Sequence, residues 1–393
     1  MVVAVLISAI RQRRSAAQII GVSMAPGDTS VRHAVQALPL NPGQDVSKPK
    51  SADTHEVGGK SRAPRGRRAR WLWRELQFSI RSYAALRSID QLVVAGSQQL
   101  LDVWGPWAHP YTVFRWTLLA RLAGAEMALP SVGAGPITTR LSSFLIRRTV
   151  GWATFVSVRD EDSARELRAI GVRRELAVCP DMGWAYARSN PHVDPPEGET
   201  AVVGLSVMPY EDPRYWPNSD RSRYSAYMTK MVTFVANLLQ NGDRVVLFSS
   251  QTRADRLVAD DLRRDLGDRG LADHPGLEWA VDRIETVEQL LETVSRCDYV
   301  VAARFHSVLL PLSLGIPTIG LAYQPKTFEL LAQVGRSAHG FDIESFEVGE
   351  LEAALETLRA EDGAGGRAEL LGHVGRFREA VEEQFDLLFP AQA

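Results

Sequence analysis

Apolar positions are most concentrated between Cys297 and Gln333, CDYVVAARFHSVLLPLSLGIPTIGLAYQPKTFELLAQ, and their pattern predicts a strand, a helix and a second strand in succession. Residues 299–303 form an apolar run of strand length without a helical stripe, which predicts a strand buried on both faces. Residues 305–314 are nearly all apolar or small and predict a short buried helix, with Pro311 where a kink is expected. Gly315 ends that helix, and residues 317–321 predict the next strand. A unit of this length makes the two strands parallel and joins them by a right-handed crossover.

In open parallel sheets, ligands bind at the carboxyl ends of the strands. Arg304 and His306 leave the end of the first strand, and Tyr323, Gln324 and Lys326 leave the end of the second, so one rim is expected to carry all of them. Arg304 and His306 also stand at a helix N-terminus, where free N–H groups and the helix dipole favour anions. The chain has five lysines against forty arginines, so lysine is not its default cation at position 326. This set suits a phosphate or a carboxylate. Taken singly, each residue has a plainer reading, since a lone histidine is usually a hydrogen-bonded core or surface group.

The same α/β alternation extends over most of the chain. Residues 2–14 pattern as an amphipathic helix, 17–23 as a strand, and PGDTSVRHAV as a loop and short helix. From residue 89 onward, strands are expected at 91–95, 126–132 and 154–158, with helices at 110–123 and 139–151. Gly96-Ser97-Gln98, Gly133-Ala134-Gly135-Pro136 and Arg159-Asp160-Glu161-Asp162-Ser163 follow the three strands, again on one rim. The glycines permit close backbone approach or positive φ, and Asp160 and Ser163 suit a helix N-terminus. Tight turns and a helix cap are the plainer readings. Residues 191–200, with HVDPPEGE at their heart, read as a linker. A second domain follows, with strands at 201–207 and 244–249, a weak one near Leu277, and helices near 224–240, 254–266 and 287–296. Helices near 327–334, 349–360 and 368–389 close the chain, and the last is long enough to cross back onto the first domain. The expected organisation is therefore an N-terminal domain 1–190, a linker 191–200 and a C-terminal domain 201–393. Both are Rossmann-like, doubly wound parallel-sheet domains with strand ends facing a cleft.

Two segments break the pattern. Residues 41–70 are rich in Pro, Ser, Gly, Lys and Arg without an apolar period and read as a mobile insertion. They run into RAPRGRRARWLWRELQF. A basic, tryptophan-bearing helix start can touch anionic membrane lipid. The alternative is a solvated charge run with Trp71 and Trp73 packed into the domain, and it is favoured because a charge run alone carries little information. The other segment, 210–223, is a long connection at a strand end. Its Tyr215, Trp216 and Asn218 are candidates to stack on and bond a sugar, against the plainer reading of a mobile surface loop.

Composition narrows the function classes. A length of 393 residues suits two domains, and 45% apolar with 23% charged residues is ordinary for a globular protein. A net charge of -2 gives no reason to expect nucleic acid as the main partner. The two cysteines, Cys179 and Cys297, read as buried free thiols in a reducing compartment. No stretch approaches the roughly twenty apolar residues that span a bilayer. Near the start, Arg11, Arg13 and Arg14 follow the apolar run instead of preceding it, the reverse of a secretory signal, so a cytoplasmic protein is expected, with peripheral contact at the inner membrane face as its membrane-linked variant. No clustered Cys, His or acidic spacing suggests a metal.

The order R-x-H, a buried apolar helix, G-x-P and Y-x-x-K, from Arg304 to Lys326, resembles the polysaccharide pyruvyl transferases. The resemblance runs from about residue 2 to 333 apart from 41–70, and includes the G-x-G-P turn at Gly133 and the R-D-E-x-S segment at Arg159. It implies a two-domain, GT-B-like fold and transfer of pyruvate from phosphoenolpyruvate, as co-substrate and without a cofactor, onto a glycan or lipid-linked sugar as a ketal. Arg159, Arg304, Lys326, Tyr323 and Gly135 are then expected at the phosphoenolpyruvate, His306 as acid or base with Arg304 beside it, and the N-terminal domain on the acceptor side. Asp181 matches an acidic residue of the family, with a turn role as its alternative. Two departures stand out: Gly96-Ser97 replaces a fuller glycine cluster, and the family's first strand and glycine-rich loop are missing, so the chain is expected to begin downstream of them. The alternatives are a nucleotide-sugar glycosyltransferase, with Glu329 near the ribose, and a non-catalytic relative acting as a partner protein.

Overall fold

The computed structural model describes residues 1–43, 66–186, 200–216, 219–251, 254–363 and 365–390. Residues 191–199 of the expected linker, Asn218 and most of the insertion 41–70 lie outside the described residues. The chain divides into two compact units: Met1–Met182 with Glu379–Ala393, and Gly183–Arg378.

The first unit contains α1 (Val2–Arg13), β1 (Ile20–Ser23), α2 (Pro26–His33), β2 (Gln36–Pro39), α3 (Gly66–Leu86), β3 (Gln91–Val93), β4 (Gln98–Leu100), α4 (His109–Ala123), β5 (Glu126–Ala134), α5 (Arg140–Trp152), β6 (Phe155–Val158), α6 (Glu161–Ala169) and β7 (Ala177–Val178). Among the described residues, β1 and β2 pair only with each other. The main sheet is parallel and runs β3-β5-β6-β7, with β4 also paired to β5 beyond β3. Strand β5 runs beyond its apolar pattern to Ala134, and its register shifts between Leu129 and Val132. At that irregularity Ser131 takes a φ of 45°. Its N–H donates to Ser157 Oγ at 2.7 Å, and its hydroxyl receives a bond from Gln384 Nε2 at 3.0 Å. Thus the chain's C-terminal residues satisfy the polar groups that the bulge exposes inside the core.

Gly96 sits in the jog between β3 and β4, and a Cβ there would come within 2.5 Å of Pro130 O and 2.8 Å of Ser131 O. The short Gly96-Ser97 turn is therefore a close backbone crossing over the β5 bulge. The charge-run expectation for α3 needs correction. The helix turns Glu75, Ser82 and Leu86 inward, Phe78 meets Trp116 edge-on at 6.1 Å, and Trp71 and Trp73 stay exposed instead of packing into the domain.

The second unit contains β8 (Val202–Ser206), α7 (Arg221–Gln240), β9 (Arg244–Leu247), α8 (Ala254–Gly267), β10 (Leu277–Glu278), α9 (Val287–Val294), β11 (Tyr299–Ala302), α10 (Phe305–Ser313), β12 (Thr318–Ala322), α11 (Pro325–Gln333), β13 (Gly340–Asp342), α12 (Val348–Gly363) and α13 (Gly366–Leu388), whose residues from Glu379 count with the first unit. Its parallel sheet has the order β10-β9-β8-β11-β12-β13. Chain order reverses between β8 and β11, the topological switch point at which ligands bind in such sheets. The core of this unit is built from Val203, Leu205, Phe234, Val245, Val301 and Ile319. Both cysteines are buried and free.

Gly96→Ala is expected to lower the stability of the first unit by about 1–3 kcal/mol, because the added carbon meets backbone oxygens that cannot swing away. Gly151→Ala, where nothing lies within 4 Å in α5, is expected to be neutral or to stabilise by up to ~1 kcal/mol. Urea denaturation of the two variants reads the contrast.

Candidate functional site

In the second unit the switch point carries a buried polar cluster. Arg304 is the N-cap residue of α10, and His306 and Ser307 lie in that helix's first turn. Arg304 Nε donates to both oxygens of Asp255, at 2.8 and 2.9 Å, and one Nη adds a third bond at 2.5 Å. The Asp255 side chain is 1% exposed and that of Arg304 15%. Burial pushes the Asp255 carboxyl up, against the pull of Arg304 and of the Ser249 hydroxyl, which donates at 2.6 Å. For Arg304 burial works against the charge, but Asp255 outweighs it and holds the guanidinium firmly protonated. Nη1 takes no part in these bonds, so one edge of the planar fork is fixed on Asp255 and Nη1 is left outside that pairing.

Serines link the strand ends around this pair. Ser206, at the end of β8, donates to Ser307 Oγ at 2.9 Å, and Ser307 donates to Ser250 Oγ at 2.8 Å. Strands β11 and β12 are parallel neighbours, so the N-termini of α10 and α11 lie side by side, carrying His306 and Lys326 in their first turns. Two helix N-termini next to a fixed guanidinium make this rim favourable for an anion.

Aromatic residues join the same rim. The Arg304 guanidinium lies 5.9 Å from the Tyr215 ring centroid, Tyr215 meets Trp216 edge-on at 5.2 Å, and Trp216 lies 6.5 Å from Tyr323. Burial pushes the Tyr323 phenol up, with Arg304 pulling the other way. The connection that bears Tyr215 and Trp216 is anchored: Trp216 Nε1 bonds Pro209 O, and Arg214 Nε donates to both oxygens of the buried Asp212 at 3.0 Å. Tyr215 and Trp216, expected to stack on a sugar, stand against Arg304 and Tyr323 respectively.

The first unit has its own rim. Asp160 caps α6 by accepting from Ser163 N at 2.6 Å. Arg159, expected to face a ligand, is buried, and its guanidinium points at Asp160 and Asp181, both at 3.3 Å, and at Gln98 Oε1 at 3.4 Å. Gln98 in turn donates to Gly135 O at 2.7 Å, and a Cβ on Gly133 would come within 3.0 Å of Arg159 Nε. Arg159 in this structure knits together the ends of β4, β5 and β6, and Asp181 is its buried counter-ion. Gly135 has a φ of 88° and precedes a cis proline, and a Cβ there would run into the Glu166 side chain.

Asp255 escaped the sequence reading because it is one of several acids in α8. A signal was present: Asp255, Val258, Ala259, Leu262 and Leu266 share the buried stripe of the helix, and an acid on such a stripe requires a partner.

The family model for polysaccharide pyruvyl transferases matches residues 3–325. The chain belongs to the polysaccharide pyruvyl transferase family. Arg304 and His306 of this family member fall inside the matched span, and Lys326 follows it directly. No curated protein sequence matches the chain. Among solved structures, the pyruvyl transferase fold is similar to a UDP-GlcNAc 2-epimerase from Methanocaldococcus jannaschii, with a TM-score of 0.55, 12% identity, and 90% of this chain and 88% of that one covered. A putative UDP-N-acetylglucosamine 2-epimerase from Listeria monocytogenes gives 0.54, 12%, 98% and 93%, and Acinetobacter baumannii MurG gives 0.50, 12%, 98% and 95%. At these identities the likeness concerns fold alone, and it agrees with the expected α/β, GT-B-like class.

Asp255→Ala is expected to cost about 3–5 kcal/mol, since it leaves Arg304 charged and unpaired in a buried site. Adding Arg304→Met to that variant is expected to recover most of the loss. Chemical denaturation of the single and double variants measures both.

Proposed function

We propose that the second unit binds phosphoenolpyruvate and that the protein transfers its pyruvyl group to a sugar diol as a ketal. The observation that supports this most directly is the Asp255-held fork of Arg304 beside the paired N-termini of α10 and α11, inside or adjoining the span that carries the family assignment. Phosphoenolpyruvate brings a phosphate and a carboxylate. The Arg304 edge not engaged by Asp255 would offer donors to one of these groups, and Lys326 with the α11 N-terminus to the other. Tyr323 closes the rim between them. Arg159, buried between its carboxylates in the first unit, is left out of donor binding.

The reaction adds a proton to the methylene carbon and turns it into the methyl group. One sugar hydroxyl oxygen bonds to the central carbon as it releases its own proton. The carbon–oxygen bond to phosphate then breaks, phosphate departs with the electron pair, and the second hydroxyl closes the ketal and loses its proton. His306 is assigned the proton transfer at the methylene carbon, because an imidazole exchanges protons near neutral pH. The acceptor is assigned to a glycan or a lipid-linked precursor.

A second reading has an observation of its own. The similar folds include proteins named for UDP-GlcNAc, and a switch point lined by helix N-termini also suits a diphosphate. On that reading Arg304 and Lys326 would hold a nucleotide sugar, with Glu329 near the ribose.

Release of inorganic phosphate from phosphoenolpyruvate in the presence of acceptor glycans tests the proposal. His306→Ala is expected to reduce turnover by about 10²–10⁴-fold with the fold retained. Lys326→Ala is expected mainly to raise KM for phosphoenolpyruvate, by roughly 10–100-fold, as for loss of a charge-assisted hydrogen bond. Wild-type turnover by the His306 variant would overturn its role, and absence of phosphate release across acceptors would overturn the reaction.

A further inference from the structure

The outer surface of α3 is built the wrong way round for a helix that meets only water. Its inner face uses Glu75, Phe78, Ser82 and Leu86, and Glu75 is tied to α4 by Arg115 Nη1 and by Tyr111 Oη at 3.0 Å. A neighbouring face of the helix exposes Leu72, Leu76 and Ile80, spaced four residues apart and therefore in one stripe, at 59%, 52% and 59%. Trp71 and Trp73 flank the start of that stripe at 50% and 60% exposure.

A second aromatic group lies at the same end of the unit. Contacts pair Glu75 with Tyr111 and Phe78 with Trp116, so α3 and α4 run in the same direction, and the start of α4 stands level with the turn of α3 that carries Trp71 and Trp73. Just before α4, Val103, Trp104 and Trp107 are exposed at 62%, 62% and 64%, and the Trp107 ring lies 5.4 Å from that of Tyr111. Four of the nine tryptophans in the chain thus stand in solvent at one end of one helix pair.

Charge identifies the occupant. Arg67, Arg68, Arg70 and Arg74 precede Glu75, the one acid in the α3 sequence, and that acid is buried against Arg115. Arg70, Arg74 and Arg81 are exposed. Apolar side chains in one stripe, tryptophans at its end and arginines beside them are the composition of a helix lying in the headgroup region of an anionic bilayer, where indole rings sit at the interface and arginine meets lipid phosphate. Among the described residues no helix is long and apolar enough to cross a membrane. We propose that the Leu72–Leu76–Ile80 face of α3, with Trp71, Trp73, Trp104 and Trp107, docks the protein on anionic lipid membrane. The proposal is independent of the reaction assigned to the second unit.

Co-sedimentation of the full chain with vesicles tests it. Vesicles of phosphatidylcholine with about 30% phosphatidylglycerol should bring the protein down, pure phosphatidylcholine vesicles should do so at least ~10-fold less, and added salt should weaken binding. The triple variant Leu72→Ser, Leu76→Ser, Ile80→Ser is expected to lose about 10-fold or more of the vesicle affinity while keeping its thermal transition, because the changed side chains face solvent. Equal binding by wild type and triple variant would overturn the proposal, as would failure of the wild type to bind the anionic vesicles at low salt. So would a wild-type dimer in sedimentation velocity that the triple variant converts to monomer, since a second copy would then cover this face.

Discussion

A buried arginine held by a buried aspartate is the interaction on which the switch point of the second unit depends. Neither charge is stable alone in that environment, because the cost of removing it from water exceeds anything a neutral neighbour returns. Together they pair, and the bidentate geometry fixes the guanidinium plane at the switch point of the sheet. Ser249 holds Asp255, and the chain Ser206, Ser307 and Ser250 ties the ends of β8 and β11 to the loop after β9. The site is thus set by polar groups whose rotamers the fold has already chosen, the condition under which an anion is bound without reorganisation.

The two rims use arginine differently. Among the described residues Arg304 is paired with the single carboxylate of Asp255, whereas Arg159 lies between two carboxylates and the amide of Gln98 and is largely covered. A cation with two anionic neighbours has little field left for a third. Arg159 therefore reads as the tie between strand ends, and the glycines around it as the room it needs: Gly133 leaves space for its guanidinium, while Gly96 lets the chain cross the β5 bulge.

Much of this architecture was legible in the sequence. Buried parallel strands such as Tyr299–Ala302 and Thr318–Ala322 announce themselves as apolar runs, and Pro311 did not prevent α10. Strands β2, β4, β7 and β13 were not foreseen: they are two to four residues long and contain too few apolar positions to show a period. The rim residues were found by the rule that strand ends carry ligands, but their partners were not. Asp255, Asp160 and Asp181 set the orientation and charge of the two arginines through contacts between residues 22 to 49 positions apart or adjacent in sequence, which no local pattern reports. Trp71 and Trp73 failed for a different reason. Tryptophan was expected inside, yet α3 spends its inward positions on Glu75 and Ser82, and the apolar stripe is left outward.

The donor is the point on which the account rests. Thermal denaturation of the wild-type protein with phosphoenolpyruvate, and separately with uridine or guanosine diphosphate, decides it most directly. Ligand bound at about 100 times its Kd stabilises the folded state by about 2.7 kcal/mol, enough for a resolved rise in the midpoint. Protection by phosphoenolpyruvate and none by the nucleoside diphosphates is the predicted result. Protection by a nucleoside diphosphate without any by phosphoenolpyruvate would contradict it.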